Sequence, residues 1–163
     1  MTVSERATAP VLLQVDAILA RLSGRSALAE VCRFLRASFA HYPWVGIYRV
    51  EGTDLVLDAW NGAQATEHTR IPIARGVCGQ AVRENRSVVV DDVRTDPNYL
   101  ACFLETRAEI VVPIHLEGRV VGEVDIDGNS VKAFDASDRQ FLESLAARLG
   151  DAVVRSAAEP PPG

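Results

Sequence analysis

A chain of 163 residues with 48% hydrophobic and 24% charged side chains has the size and apolar content of one globular domain that needs no metal or disulfide staple. Its net charge of −5, with no basic stripe, argues against a nucleic-acid partner, and no apolar run approaches the ~20 residues needed to span a bilayer. The opening MTVSERATAP lacks the charged-then-apolar layout of a secretory leader, so a cytoplasmic location is expected, where Cys32, Cys78 and Cys102 stay mostly reduced.

Residues 1–10 are polar and alanine-rich, end at Pro10, and are expected to be disordered. Leu12, Val15, Ile18, Leu19 and Leu22 recur at helical spacing, so a helix is expected from Val11 to about Leu22, stopped by Ser23-Gly24. Ser26 is the expected N-cap of a second helix, with Leu28, Val31, Cys32, Leu35 and Phe39 on one apolar stripe. Cys32 on that stripe reads as a small core residue.

After Pro43, Trp44 to Val50 is β-branched and aromatic, and Leu55 to Trp60 is its return strand across a turn at Glu51 to Asp54. A polar loop to Thr69 contains His68. Arg70-Ile71-Pro72-Ile73 is an edge strand by its proline. Gly76 and Gly79 flank Val77-Cys78 at the start of a short helix, and Val88 to Val90 is a further strand. A polar segment then delivers Cys102.

Glu109 opens an apolar strand, Ile110-Val111-Val112-Pro113-Ile114; a turn at Glu117-Gly118 reverses the chain into Val120 to Asp127. Strand side chains alternate, so Asp125 and Asp127 share a face, and the hairpin brings the Glu109 end beside them. One thiol and three carboxyls are thus expected to converge. The rival reading makes Glu109 an edge-strand charge and Asp125/Asp127 caps of the turn at Gly128-Asn129. A last helix over residues 137–154, capped by Ser137, carries Phe141, Leu142, Leu145, Leu149 and Val153 inward, and residues 156–163 form a disordered tail. Hairpin connections predict an α+β domain over residues 11–155: an antiparallel sheet with the terminal helices on one face and a loop-covered pocket on the other.

The order of elements resembles a GAF domain, a relative of the PAS architecture. Four blocks resemble, more narrowly, the free methionine-R-sulfoxide reductases: Trp44 to Tyr48, Arg75-Gly76-Val77-Cys78-Gly79, Ala101-Cys102 followed by Glu109 to Pro113, and Gly122 to Asp127. The resemblance implies that Cys102 is the nucleophile and that Glu109, Asp125 and Asp127, with Trp44, shape the substrate pocket. Many members have a resolving cysteine ten residues before the one matching Cys78; here that position is His68. Phe103 also replaces a residue that is often polar.

A thiolate at Cys102 can attack a sulfoxide and become a sulfenic acid, and clustered acids can supply the proton. Cys78 is then either a resolving thiol or a packing residue. Free methionine sulfoxide as substrate, a thioredoxin-like reductant and a homodimer are the expected partners; no cofactor is expected. His41, His68 and His115 have no ligand spacing, and no metal is expected. The competing function is a non-catalytic GAF sensor that binds a small molecule and signals through its helices, with a structural interaction protein ranked last.

Overall fold

The computed structural model describes residues 5–101 and 103–161. Its elements are α1 (Glu5–Arg21), α2 (Gly24–Ser38), β1 (Trp44–Glu51), β2 (Asp54–Gly62), β3 (Arg70–Pro72), α3 (Gly76–Glu84), β4 (Val88–Val90), a 3-10 turn (Val93–Thr95), β5 (Ala108–Leu116), β6 (Arg119–Gly128), α4 (Ala136–Ala146) and α5 (Gly150–Ser156). The strands form one antiparallel sheet in the order β3-β2-β1-β6-β5-β4. This is the expected α+β architecture. No helix among the described residues is long and apolar enough to cross a membrane.

The sheet divides two apolar clusters. Val45, Ile47, Ile110, Val112, Ile114, Val124 and Ile126 face the helical side, where they meet Leu28, Val31, Cys32 and Leu35 of α2 and Phe141, Leu142 and Leu145 of α4. The other face carries Trp44, Tyr48, Leu55, Leu57 and Val111 against Val77, Cys78 and Ala81 of α3. The period-two alternation of the strands sends alternate residues to the two clusters. Cys32 is fully buried among aliphatic groups, and burial alone pushes its thiol far up, which makes it inert.

Several boundaries differ from the sequence reading. The first helix starts at Glu5, not Val11, and contains Pro10. Pro10 stands sixth in this helix, past the four leading amides that lack a helical acceptor, so the helix accommodates it at the loss of one backbone hydrogen bond. Ser23, not Ser26, is the N-cap of α2, and its side chain makes no capping bond. Asp135, not Ser137, caps α4: its carboxylate accepts from Ser137 N and Asp138 N, and Asp138 answers by accepting from Asp135 N. The expected helix 137–154 is broken in two. Gly150 begins α5 where the helix lies so close to β5 that any side chain would collide with the His115 carbonyl. Glu159, in the stretch expected to be disordered, accepts from the backbone amide of Arg25 at 3.2 Å, which fastens that residue to the start of α2.

Asp138 ties the helical layer together. Its Oδ1 accepts from Tyr42 Oη and His41 Nε2, both at 2.7 Å, and its side chain is fully buried. Asp138→Ala leaves the buried Tyr42 hydroxyl without an acceptor and is expected to cost about 3 kcal/mol in urea unfolding, with Asp138→Asn losing less. A loss below about 1 kcal/mol would show that this network contributes little.

Candidate active site

The β5–β6 hairpin builds the site. Glu117 and Gly118 form its two-residue turn with φ of 52° and 78°, the left-handed pair that suits the twist of the flanking strands. From that turn the register places Glu109 opposite Asp127 and Val111 opposite Asp125. On the other side of β6, β1 places Trp44 opposite Asp127, Gly46 opposite Asp125 and Tyr48 opposite Glu123. Glu109, Asp125 and Asp127 therefore converge, and all are at most 4% exposed. They cap no turn and guard no edge: β6 is central, and β4 covers the outer side of β5.

Sequence reasoning overlooked Glu123. It shares the face of Asp125 and Asp127 by the same period-two rule and is completely buried. Neither of its oxygens has a hydrogen-bond partner, nor do Asp125 Oδ1 and both oxygens of Asp127. Asp58 and Asp138 are buried acids of the opposite kind, held by Arg49 at 3.1 Å and by Tyr42 at 2.7 Å respectively. The contrast sets the cluster apart, since an unpaired buried carboxylate is destabilising and persists where it has a use.

Burial raises Glu123 well above the usual carboxylate range; a Cys78 contact lowers it in part, and the charge of Asp125 raises it further. Burial also dominates at Asp127, with Asp125 adding to the rise. At Asp125 burial is opposed by hydrogen bonds from Glu109 and Cys78 and by the nearby His68. Burial therefore favours the protonated form at Glu123, Asp125 and Asp127, which titrate as a set.

Cys78 lies in the first turn of α3 and is buried against this set. Its thiol donates to Asp125 Oδ2 at 3.4 Å; it also faces Glu123, though without a hydrogen bond of proper geometry. Burial, then the charges of Asp125, Glu123 and Glu109, push the thiol well up, against the thiolate-favouring pull of a helix N-terminus. Cys78 at rest is a protonated thiol.

A cavity of about 230 Å³ opens above the acids, lined by Trp44, Gln64, Phe103, Glu105, Thr106 and Asp127. Among the described residues of the acid set, Asp127 is on its lining and Glu109, Asp125 and Glu123 are not. The Trp44 indole rests flat over Gly46 and Gly62, where any side chain would strike the ring. Its Nε1 donates to the Gln64 carbonyl at 3.2 Å, and Phe103 stands 5.9 Å away, ring to ring. The apolar Phe103 thus supplies a second aromatic wall.

Cys102, the expected nucleophile, lies outside the described residues. Its neighbour Ala101 offers a carbonyl that accepts from His68 Nε2 at 3.0 Å, and the His68 carbonyl accepts from Tyr48 Oη at 2.8 Å. His68 is half-buried and tethered at both ends, not solvated as its polar loop suggested. It links the β2–β3 connection to the segment that carries Cys102.

Asp127 provides a pH test. Its raised folded value means that the native state binds the proton more tightly than the unfolded chain. The stability this contributes is complete below about pH 4 and is lost as pH rises toward the folded value. Asp127→Asn does not titrate, so relative to the parent it is expected to become progressively more stable in urea unfolding as pH rises from about pH 4 toward the raised folded value. A difference that does not vary with pH would contradict a proton held at this position.

The GAF domain model matches residues 24–154. The free methionine-R-sulfoxide reductase of Escherichia coli is 35% identical over 122 residues, covering 75% of this chain and 73% of that protein. The Neisseria meningitidis free methionine-R-sulfoxide reductase, solved in complex with its substrate, superposes with a TM-score of 0.85 at 36% identity, covering 97% of this chain and 96% of the other. The reduced Staphylococcus aureus counterpart gives a TM-score of 0.81 at 30% identity, over 90% of this chain and 94% of the other. A match over most of the chain, in sequence and in fold, shows that this protein belongs to the GAF domain family, in the branch that holds the free methionine-R-sulfoxide reductases.

Proposed function

We propose that this protein reduces free L-methionine-(R)-sulfoxide to methionine. The observation that carries the reading is the aromatic cavity over a floor of buried carboxyls, in a chain alike along nearly its whole length to a reductase solved with its substrate. Stereochemistry and substrate identity come from that likeness. The role of Cys102 comes from the resemblance, and the roles of the carboxyls and Trp44 combine the resemblance with the chemistry the site offers.

Cys102 supplies the thiolate that attacks the sulfoxide sulfur. A carboxyl of the buried set protonates the oxygen, which passes to the cysteine. The net step is sulfoxide plus thiol giving thioether plus sulfenic acid: the substrate sulfur gains two electrons and the cysteine sulfur loses two. Asp127, on the cavity wall, and Glu109 and Asp125 below it serve as proton donors and as acceptors for the substrate ammonium. Trp44 packs against the methyl-sulfur end.

Regeneration follows when Cys78 attacks the Cys102 sulfenic acid, forming a disulfide and releasing water; a thioredoxin-like dithiol then returns both to thiols. Once the buried set has given a proton to the sulfoxide oxygen it holds a carboxylate, and Asp125, whose Oδ2 accepts from the Cys78 thiol at 3.4 Å, takes the Cys78 proton. His68 stands where many relatives have a resolving cysteine, which leaves Cys78 as the internal candidate. Leu13 on α1 and Val154 on α5 are exposed apolar positions available to a homodimer.

The assay uses separated R and S isomers of free methionine sulfoxide with dithiothreitol. Turnover of the R isomer alone, abolished by Cys102→Ser, is expected; binding without turnover would instead favour a sensor. Trp44→Ala is expected to raise KM roughly tenfold, equivalent to about 1.4 kcal/mol of binding. Cys78→Ser is expected to complete a single turnover yet fail to cycle with a thioredoxin-type reductant. Undiminished cycling would remove Cys78 from the mechanism.

A further inference from the structure

Residues to which the reductase reading gives separate roles also form, taken together, a set of metal donors. One ligand atom each from Cys78, Glu109 and Asp125 lies within 4.8 Å of the other two, and all three residues are buried. Glu123 adds a fully buried carboxylate on the same face, with both oxygens unpartnered, and Asp125 keeps Oδ1 unpartnered as well. Three donors from α3, β5 and β6 thus lie together, with Glu123 facing Cys78 outside that group, beside the buried apolar residues Val77, Ala81 and Val111.

We propose that Cys78, Glu109 and Asp125, with Glu123 as fourth ligand, form a binding site for one divalent transition-metal ion of the zinc class. A tetrahedral ion with a thiolate at about 2.3 Å and carboxylate oxygens at about 2.1 Å sets its ligand atoms about 3.5 Å apart. The Cys78 sulfur and Asp125 Oδ2 already stand 3.4 Å apart. The thiolate selects against magnesium and calcium, which take oxygen ligands in larger number. No histidine takes part, which is why histidine spacing gave no hint of a metal. The orphaned oxygens of Glu123 and Asp125 gain a partner, and a dication offsets the charge that otherwise has to be neutralised by protons.

The site shares Glu109, Asp125 and Cys78 with the reductase reading, and one consequence rests on that reading: the ion and methionine sulfoxide exclude one another, so metal reversibly inhibits turnover. Binding itself is tested without turnover. Reduced, metal-free full-length protein is titrated with Co²⁺ and followed by absorption. An intense thiolate-to-cobalt charge-transfer band that saturates at one equivalent is expected. Cys102→Ser should keep the band, Cys78→Ser should abolish it, and the isosteric Glu123→Gln should weaken Co²⁺ binding at least tenfold. Circular dichroism verifies that each variant is folded, and Glu123→Gln carries the test should Cys78→Ser fail to fold. No saturable band, a band that survives Cys78→Ser, or unchanged affinity in Glu123→Gln overturns the proposed ligand set. R-sulfoxide turnover by the metal-free protein is a separate readout, so failure of the metal site and failure of the reductase reading are distinguishable.

Discussion

Everything at the site depends on the register of one hairpin. β6 alternates acids with apolar residues, so Val124 and Ile126 enter the helical core while Glu123, Asp125 and Asp127 turn to the opposite face. A slip of one residue would exchange the two sets and force three carboxyls between α2 and α4. The cost of that alternative locks the pairing. The left-handed turn at Glu117-Gly118 and the irregularity between Ile114 and His115 complete the alignment with β5. The same pleat that fills the hydrophobic core therefore assembles the acidic floor.

Two populations of buried acid coexist in the fold. Asp58 and Asp138 are surrounded by donors and fasten elements together; Asp58 draws on Arg25 and Arg49, and Asp138 on Tyr42 and His41. Glu123 and Asp127 have no such support among the described residues. Burial without donors favours the protonated carboxyl, and a protonated carboxyl beside a sulfoxide is a general acid. On the proposed reading, the instability that the cluster brings to the fold is the property the reduction uses. It also explains how a thiol can lie against several carboxyls: with protons or a cation present, the cluster is not a concentration of unbalanced charge.

Much of this was legible from residue order. The alternation of Glu109, Asp125 and Asp127 with aliphatic residues and the Glu117-Gly118 turn sufficed to place three acids together, and Pro72 marked an edge strand. Glu123 follows from the same period-two rule, yet it lies opposite no partner acid in the hairpin register, where Pro113 faces it. Caps were less legible. Ser26 and Ser137 are good capping residues, yet Ser23 and Asp135 hold those positions, since competing candidates within three residues cannot be ranked by type. The break between α4 and α5 arises from the close approach of Gly150 to β5, a tertiary contact without a local signal. The tether from His68 to Ala101 joins two loops 33 residues apart and leaves no periodic trace.

Burial favours the protonated form of the β5–β6 carboxyls, and the site requires some of them to keep a proton at neutral pH. Infrared difference spectroscopy of the reduced, metal-free protein in D₂O reads this directly through the carbonyl stretch of a protonated carboxyl, compared between the parent and Asp127→Asn or Glu123→Gln. The account predicts protonated-carboxyl bands at neutral pH that diminish in each variant. A spectrum holding only ionised carboxylate bands at neutral pH, the same in all three proteins, would contradict it.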